Sequence, residues 1–158
     1  MRLNHDYSKN GIADKANSLF LIDAHFSLNT REKRTLEFSK KTEQKYFDLS
    51  PWKNQIQQHI GDAIAIIPSL NKKYDLVFID ADKENYLNYF DLIVPMMNPG
   101  GIILSDNVLW SGKVLETPDP RDLSTNILLE YNKKINQDSR VETVLLPIRD
   151  GLTVSRVL

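Results

Sequence analysis

Asp80-Ala81-Asp82-Lys83 and Ser105-Asp106-Asn107 each follow a short apolar run, YDLVFI over 74–79 and GGIIL over 100–104. Together they carry three carboxylates, one side-chain amide and one ammonium. Carboxylate and amide oxygens are hard donors that favour magnesium, manganese or calcium over zinc. Neither segment contains a histidine or cysteine that would suggest a softer metal. A divalent cation beside a lysine can bind a hydroxyl, lower its pKa and help remove its proton, leaving an oxygen anion able to attack an electrophilic methyl group. Lys83, three residues beyond Asp80, is placed to take that proton or to steer the anion, provided a neighbouring cation depresses its own pKa. Each segment alone has a plainer reading: Asp82 caps the helix that starts near Glu84, and Asp106-Asn107 closes an Asx-type turn. The pair weighs more than either part, because an open α/β sheet gathers its ligands at the carboxyl ends of its strands.

The elements needed to position these residues can be read from the punctuation. Leu19–Ile22 is a short apolar run that predicts a strand ending at Asp23, and the charged stretch 30–45 predicts a solvated helix. Gln55–Ile60 alternates and stops at Gly61, which predicts a strand, and Asp62 caps a short helix over AIAIIPSL that Pro68 limits. Tyr74–Ile79 is apolar apart from Asp75, the pattern of a strand buried on both faces. A helix is expected from Glu84 to Met97, stopped by Asn98-Pro99-Gly100-Gly101, with a second buried strand at Ile102–Leu104. Leu123, Ile127, Leu128, Tyr131 and Ile135 are spaced for one face of a helix over 121–137. Val141–Leu146 and Leu152–Val157 are separated by five residues, too few for a crossover helix, so they form an antiparallel hairpin. Alternating strands and helices predict an α/β fold with a mostly parallel, doubly wound sheet.

Composition bounds the function classes. The chain has 158 residues, 41% hydrophobic and 26% charged, which suits one globular domain. A net charge of -1 gives no global field to recruit nucleic acid or an anionic membrane. With no cysteine there is no disulfide framework, thiolate metal site or thiol nucleophile. The first residues lack the apolar core of a secretory signal, and no apolar run is long enough for a spanning helix. The expected location is cytoplasmic.

The stretch VFIDADKENYLNYFDLIVPMMNPGGIILSDNVLWSGKV over 77–114 resembles the cation-dependent O-methyltransferases that include caffeoyl-CoA and catechol O-methyltransferases, the bacterial type above all. The similarity extends back through KYFDLSPWKNQIQQHIGDA (45–63) and forward through VETVLLPIRDGLTVSRV (141–157). The resemblance implies a Rossmann-like sheet, mostly parallel with a C-terminal antiparallel hairpin, that uses S-adenosylmethionine and a divalent cation (magnesium, manganese or calcium). It implies Asp80, Asp106 and Asn107 as metal ligands and Lys83 as the catalytic lysine. On the donor side it implies Asp80, Asp62 with Ala63, and Tyr89; at the acceptor pocket it implies Trp110. Core or rim packing accounts for Tyr89 and Trp110 equally well. The acceptor it implies is a small phenolic, catechol-like molecule, and a homodimer is compatible with it.

Residues 1–44 read as an atypical N-terminal segment, with 45–158 as the C-terminal part of the methyltransferase domain. A glycine-rich donor turn after a first strand is not recognisable: the one glycine before Gly61 is Gly11. Asp23 resembles, at an unusual distance, the family's acid for the donor's ribose. Two other readings follow. One is a truncated or inactive relative that keeps the metal site without binding the donor. The other takes Asp80-Ala81-Asp82 as the opening of a magnesium-dependent haloacid-dehalogenase-type phosphatase, which leaves Asp106 through Gly112 unexplained.

Overall fold

The computed structural model describes the backbone of residues 19–22 and the whole of residues 44–158. Asp23 and most of the charged stretch 30–45 lie outside the described residues; Gln44 and Lys45 belong to helical residues 44–49. Five strands form one sheet: β1 (Leu19–Ile22), β2 (Tyr74–Ile79), β3 (Met97–Asp106), β4 (Val141–Leu146) and β5 (Leu152–Val157). Their order is β1-β2-β3-β5-β4. β1, β2 and β3 run parallel, and β5 pairs antiparallel with both β3 and β4. The expected α/β sheet and its C-terminal hairpin are both present, and β1 supplies the parallel partner on the free flank of β2.

Beyond helical residues 44–49, the chain forms α1 (Ala63–Ile66, continued by a 3-10 turn over Ile67–Leu70), α2 (Tyr86–Ile93) and α3 (Leu123–Gln137). Asp62 caps α1 by accepting from the Ile64 amide at 2.9 Å, and Asp122 caps α3 by accepting from the Thr125 amide at 3.1 Å. α3 buries Thr125 together with Leu128, Tyr131 and Ile135 of the expected stripe; Ile127 is half-buried, and Leu123 in the first turn is exposed. α2 buries Tyr86, Tyr89, Phe90 and Ile93. These faces meet Val77, Ile79 and Ile103 of the sheet in one core. Tyr131 stands at its centre, with the Tyr86 ring edge-on at 5.4 Å and the Phe90 ring edge-on at 6.0 Å. Such edge-to-face contacts add to the apolar area these rings already bury. No helix among the described residues is long and apolar enough to cross a membrane.

Two expectations fail. Residues 56–60 are irregular rather than a strand, and Ile56 and Ile60 are both exposed. The alternation in Gln55–Ile60 is real, but a strand needs a ladder partner, and neither edge of the sheet lends one to this segment. The boundary at Asn98-Pro99-Gly100-Gly101 is also corrected: the helix expected to reach Met97 ends at Ile93 with a 3-10 turn to Met96, and the strand expected at Ile102–Leu104 begins at Met97 and runs through these residues. The ladder to β2 pairs Tyr74 with Met97 but Leu76 with Ile102, so the extra residues are absorbed in a bulge. A bulge is the place where a strand tolerates proline, and Gly100 supplies its φ of +82°.

The turn from β4 to β5 closes at Gly151, φ +83°, against Leu109 of the loop after β3. A Cβ at Gly151 would lie 2.5 Å from Leu109 Cγ and 3.0 Å from its amide nitrogen. Gly112 has a similar φ of +82° with nothing within 4 Å. Gly112→Ala therefore adds backbone strain alone, about 1 kcal/mol, whereas Gly151→Ala adds a steric clash and should cost about 2–4 kcal/mol. Urea denaturation of the two variants checks the difference; equal losses would contradict it.

Candidate active site

The parallel register pairs Ile79 with Ser105, so Asp80 and Asp106 leave the sheet side by side at its carboxyl edge. The chain beyond Asp80 turns at once into a 3-10 turn over Lys83–Asn85 and then into α2. This turn swings Lys83 back under the rim, where its side chain is only 6% exposed. Lys83 Nζ lies 3.7 Å from Asp80 Oδ1 and donates to the Asp106 carbonyl at 3.2 Å and to Asn107 Oδ1 at 3.4 Å. It also donates to the Tyr86 hydroxyl. Burial pulls the Lys83 pKa below its ordinary value, opposed by the charges of Asp80, Asp106 and Asp150.

Asn107 sits at φ +58°, a left-handed conformation that asparagine tolerates better than most residues. Its main-chain N–H donates to Asp106 Oδ1 at 2.8 Å. Trp110, Ser111 and Gly112 also have positive φ, so the backbone after Asn107 folds tightly on itself. The β4–β5 turn fixes this loop: the Val108 amide donates to the Gly151 carbonyl at 3.2 Å, and the Leu109 amide donates to the Asp150 carbonyl at 2.9 Å. The Asp150 carboxylate takes the Ser111 amide. Trp110 is thereby held with its ring centre 5.8 Å from Lys83 Nζ.

Asp80, Lys83, Asp106, Asn107 and Trp110 thus converge on one rim. Asp62, Ala63 and Tyr89 form a separate group. Asp62 caps α1, and Ala63 packs against the core as the first residue of that helix. The Tyr89 side chain is fully covered, and its hydroxyl donates to Asp82 Oδ1 at 2.6 Å. Burial first, then the hydrogen bond to Asp82 and the charges of Asp82 and Asp62, push the Tyr89 pKa upward. Asp82 also receives Asn85 Nδ2 at 2.5 Å and makes no side-chain cap of the turn that follows it. Sequence reading missed two residues. Tyr86 stands three positions after Lys83, the spacing at which side chains meet on a helical turn, and that signal was available. Asp150 lies 39 residues beyond Ser111 and gave none.

The donor set can be tested against a cation. No group of three or more His, Cys, Asp and Glu side chains suited to a metal exists among the described residues. The rim offers two carboxylates and one amide oxygen, hard donors of the kind a small hard cation takes while keeping several positions for water or substrate. The residues fit such an ion by their chemistry.

Comparison with known proteins gives a consistent picture. A family model described as O-methyltransferase matches residues 32–158. Caffeoyl-CoA O-methyltransferase 5 of Nicotiana tabacum is 37% identical over 114 residues, which cover 65% of this chain and 48% of that protein. The chain spans about half the length of the curated relatives it matches. Among solved structures, the O-methyltransferase TomG of Streptomyces achromogenes, involved in tomaymycin synthesis and in complex with SAM, is 27% identical at a TM-score of 0.58, over 64% of this chain and 49% of that one. An SAH-bound methyltransferase of Podospora anserina shares the fold at a TM-score of 0.67 with 22% identity, over 89% of this chain and 60% of that one.

A buried lysine beside partly hydrated carboxylates is poorly explained by stability. Asp80 is 49% exposed, so removing the ammonium leaves it in water rather than stranded. Lys83→Met should keep the melting free energy unchanged or raise it by about 1 kcal/mol. A loss of several kcal/mol in chemical denaturation would mark Lys83 as a structural residue instead.

Proposed function

We propose, from the premise that this chain belongs to the O-methyltransferase family, that its rim serves transfer of a methyl group from S-adenosylmethionine to a hydroxyl of a small phenolic, catechol-like acceptor. The observation that carries this reading is the convergence of Lys83 Nζ with Asp80, Asp106 and Asn107 at the ends of two adjacent parallel strands. Family membership also sets aside the phosphatase reading of Asp80-Ala81-Asp82.

In the reaction the acceptor O–H bond breaks, its oxygen forms a bond to the methyl carbon, and the carbon–sulfur bond breaks to release a neutral thioether. Asp80, Asp106 and Asn107 would hold a divalent cation, which when bound lowers the pKa of an acceptor hydroxyl. Lys83 in its neutral form takes the hydroxyl proton at Nζ and passes it to water. Burial supports that role by favouring the uncharged amine. Trp110 covers the acceptor side of the rim, and its fixed loop excludes water from the reacting oxygen. Asp62, Ala63 and Tyr89, with Asp82 between them and the rim, form the side at which the donor's adenosine would lie. Vicinal hydroxyls suit this arrangement because two oxygens on one ring can bind a single cation together.

The test is thioether formation by the full chain with S-adenosylmethionine, a catechol acceptor and magnesium. Turnover should stop on addition of a chelator and return with excess magnesium. Asp80→Asn should lower it by at least about 100-fold, since even the residues that support metal ligands cost up to that much. Chelator-resistant turnover would overturn the cation's place in the reading. Failure of the chain to bind the donor by calorimetry would overturn methyl transfer itself.

A further inference from the structure

Tyr86 is a buried, titratable side chain that the reaction above does not use. Its ring has no exposed surface and packs edge-on against Tyr131, a task that phenylalanine would perform as well. The hydroxyl therefore needs its own explanation, because burying a polar group is costly unless it is hydrogen-bonded. It lies where three elements meet: the end of β2, the start of α2 and the end of β3. It donates to the Asp106 carbonyl at 2.9 Å; the Ile79 carbonyl is farther, at 3.4 Å, and a single proton serves the nearer acceptor. Its oxygen is then left to accept from Lys83 Nζ.

We propose that Tyr86 is a positioning residue for methyl transfer, its hydroxyl fixing the Lys83 amine against the main chain between Asp106 and Asn107. Lysine ends in a flexible four-carbon stem with about 2 kcal/mol of rotamer entropy to lose. The other partners of Nζ lie at 3.2, 3.4 and 3.7 Å, so Tyr86 is the close contact that selects one rotamer. The direction of the hydrogen bond is also fixed. A main-chain carbonyl has no proton to give, so the phenol donates to Asp106 and accepts from the amine. The same contact ties the Asp106 carbonyl, and with it the backbone that carries the Asp106 and Asn107 side chains, to α2.

The inference rests on the methyl-transfer reading, so its test separates the two. Steady-state rates are measured for the full chain, Tyr86→Phe, Lys83→Met and the double variant, with S-adenosylmethionine, a catechol acceptor and magnesium. Tyr86→Phe should lower kcat about 10–100-fold while leaving the KM for the donor within about twofold. In the Lys83→Met background the same change should cost nothing further, because its effect passes through the amine. An equal loss in both backgrounds would show a merely structural role and overturn the inference. Full activity of Lys83→Met would remove the reading beneath it, a result distinct from a harmless Tyr86→Phe in an enzyme that depends on Lys83. A crystal structure of Tyr86→Phe gives an answer independent of turnover. Lys83 Nζ is expected to leave the Asp106 carbonyl and Asn107 Oδ1; finding it unmoved would overturn the proposal.

Discussion

The ladder between β2 and β3 places two carboxylates at the same height on one edge of the sheet. Ile79 opposite Ser105 makes Asp80 and Asp106 neighbours, and a slip of one residue would turn one of them to the other face. That register is held by alternating buried residues, Val77 and Ile79 on one strand and Ile103 on the other, packed under α2 and α3. Lys83, which the short turn after Asp82 folds back under the rim, lies 3.7 Å from the Asp80 carboxylate and donates to the Asp106 carbonyl. A cation added at the Asp80 and Asp106 carboxylates would work with the geometry the sheet already enforces.

Holding Lys83 in place costs desolvation, and the neighbouring elements show how it is offset. Tyr86 offers a close acceptor, Asp106 and Asn107 offer two longer ones, and the Trp110 ring stands over the amine. The C-terminal hairpin completes the arrangement from a distance. Its turn residues Asp150 and Gly151 take the amides of Val108, Leu109 and Ser111, and so hold a run of left-handed backbone that would otherwise relax. The sheet edge, the helix start and the hairpin are thus coupled through a few hydrogen bonds at one rim.

Much of this was legible in the chain itself, for reasons that can be named. The run YDLVFI before Asp80 and the stripe Leu128, Tyr131, Ile135 follow from periodicity and burial, which local sequence encodes strongly. Asp62 as a helix cap was equally clear. The failures have the opposite character. Gln55–Ile60 has strand-like alternation but no partner, and pairing is a property of the whole sheet rather than of six residues. Asn98 through Gly101 looked like a stop, yet a bulge against β2 carries the strand through them. The clamp from Asp150 joins segments distant in sequence, so no local signal could announce it. Tyr86 was within reach, three residues from a lysine already singled out.

Diffraction from crystals grown with manganese and recorded at the manganese absorption edge tests the central claim most directly. An anomalous peak within coordinating distance of the Asp80, Asp106 and Asn107 side-chain oxygens, lost in Asp106→Asn, is the predicted result. A peak elsewhere on the molecule, or none at the rim at millimolar manganese, would contradict a cation-assisted reaction at this site.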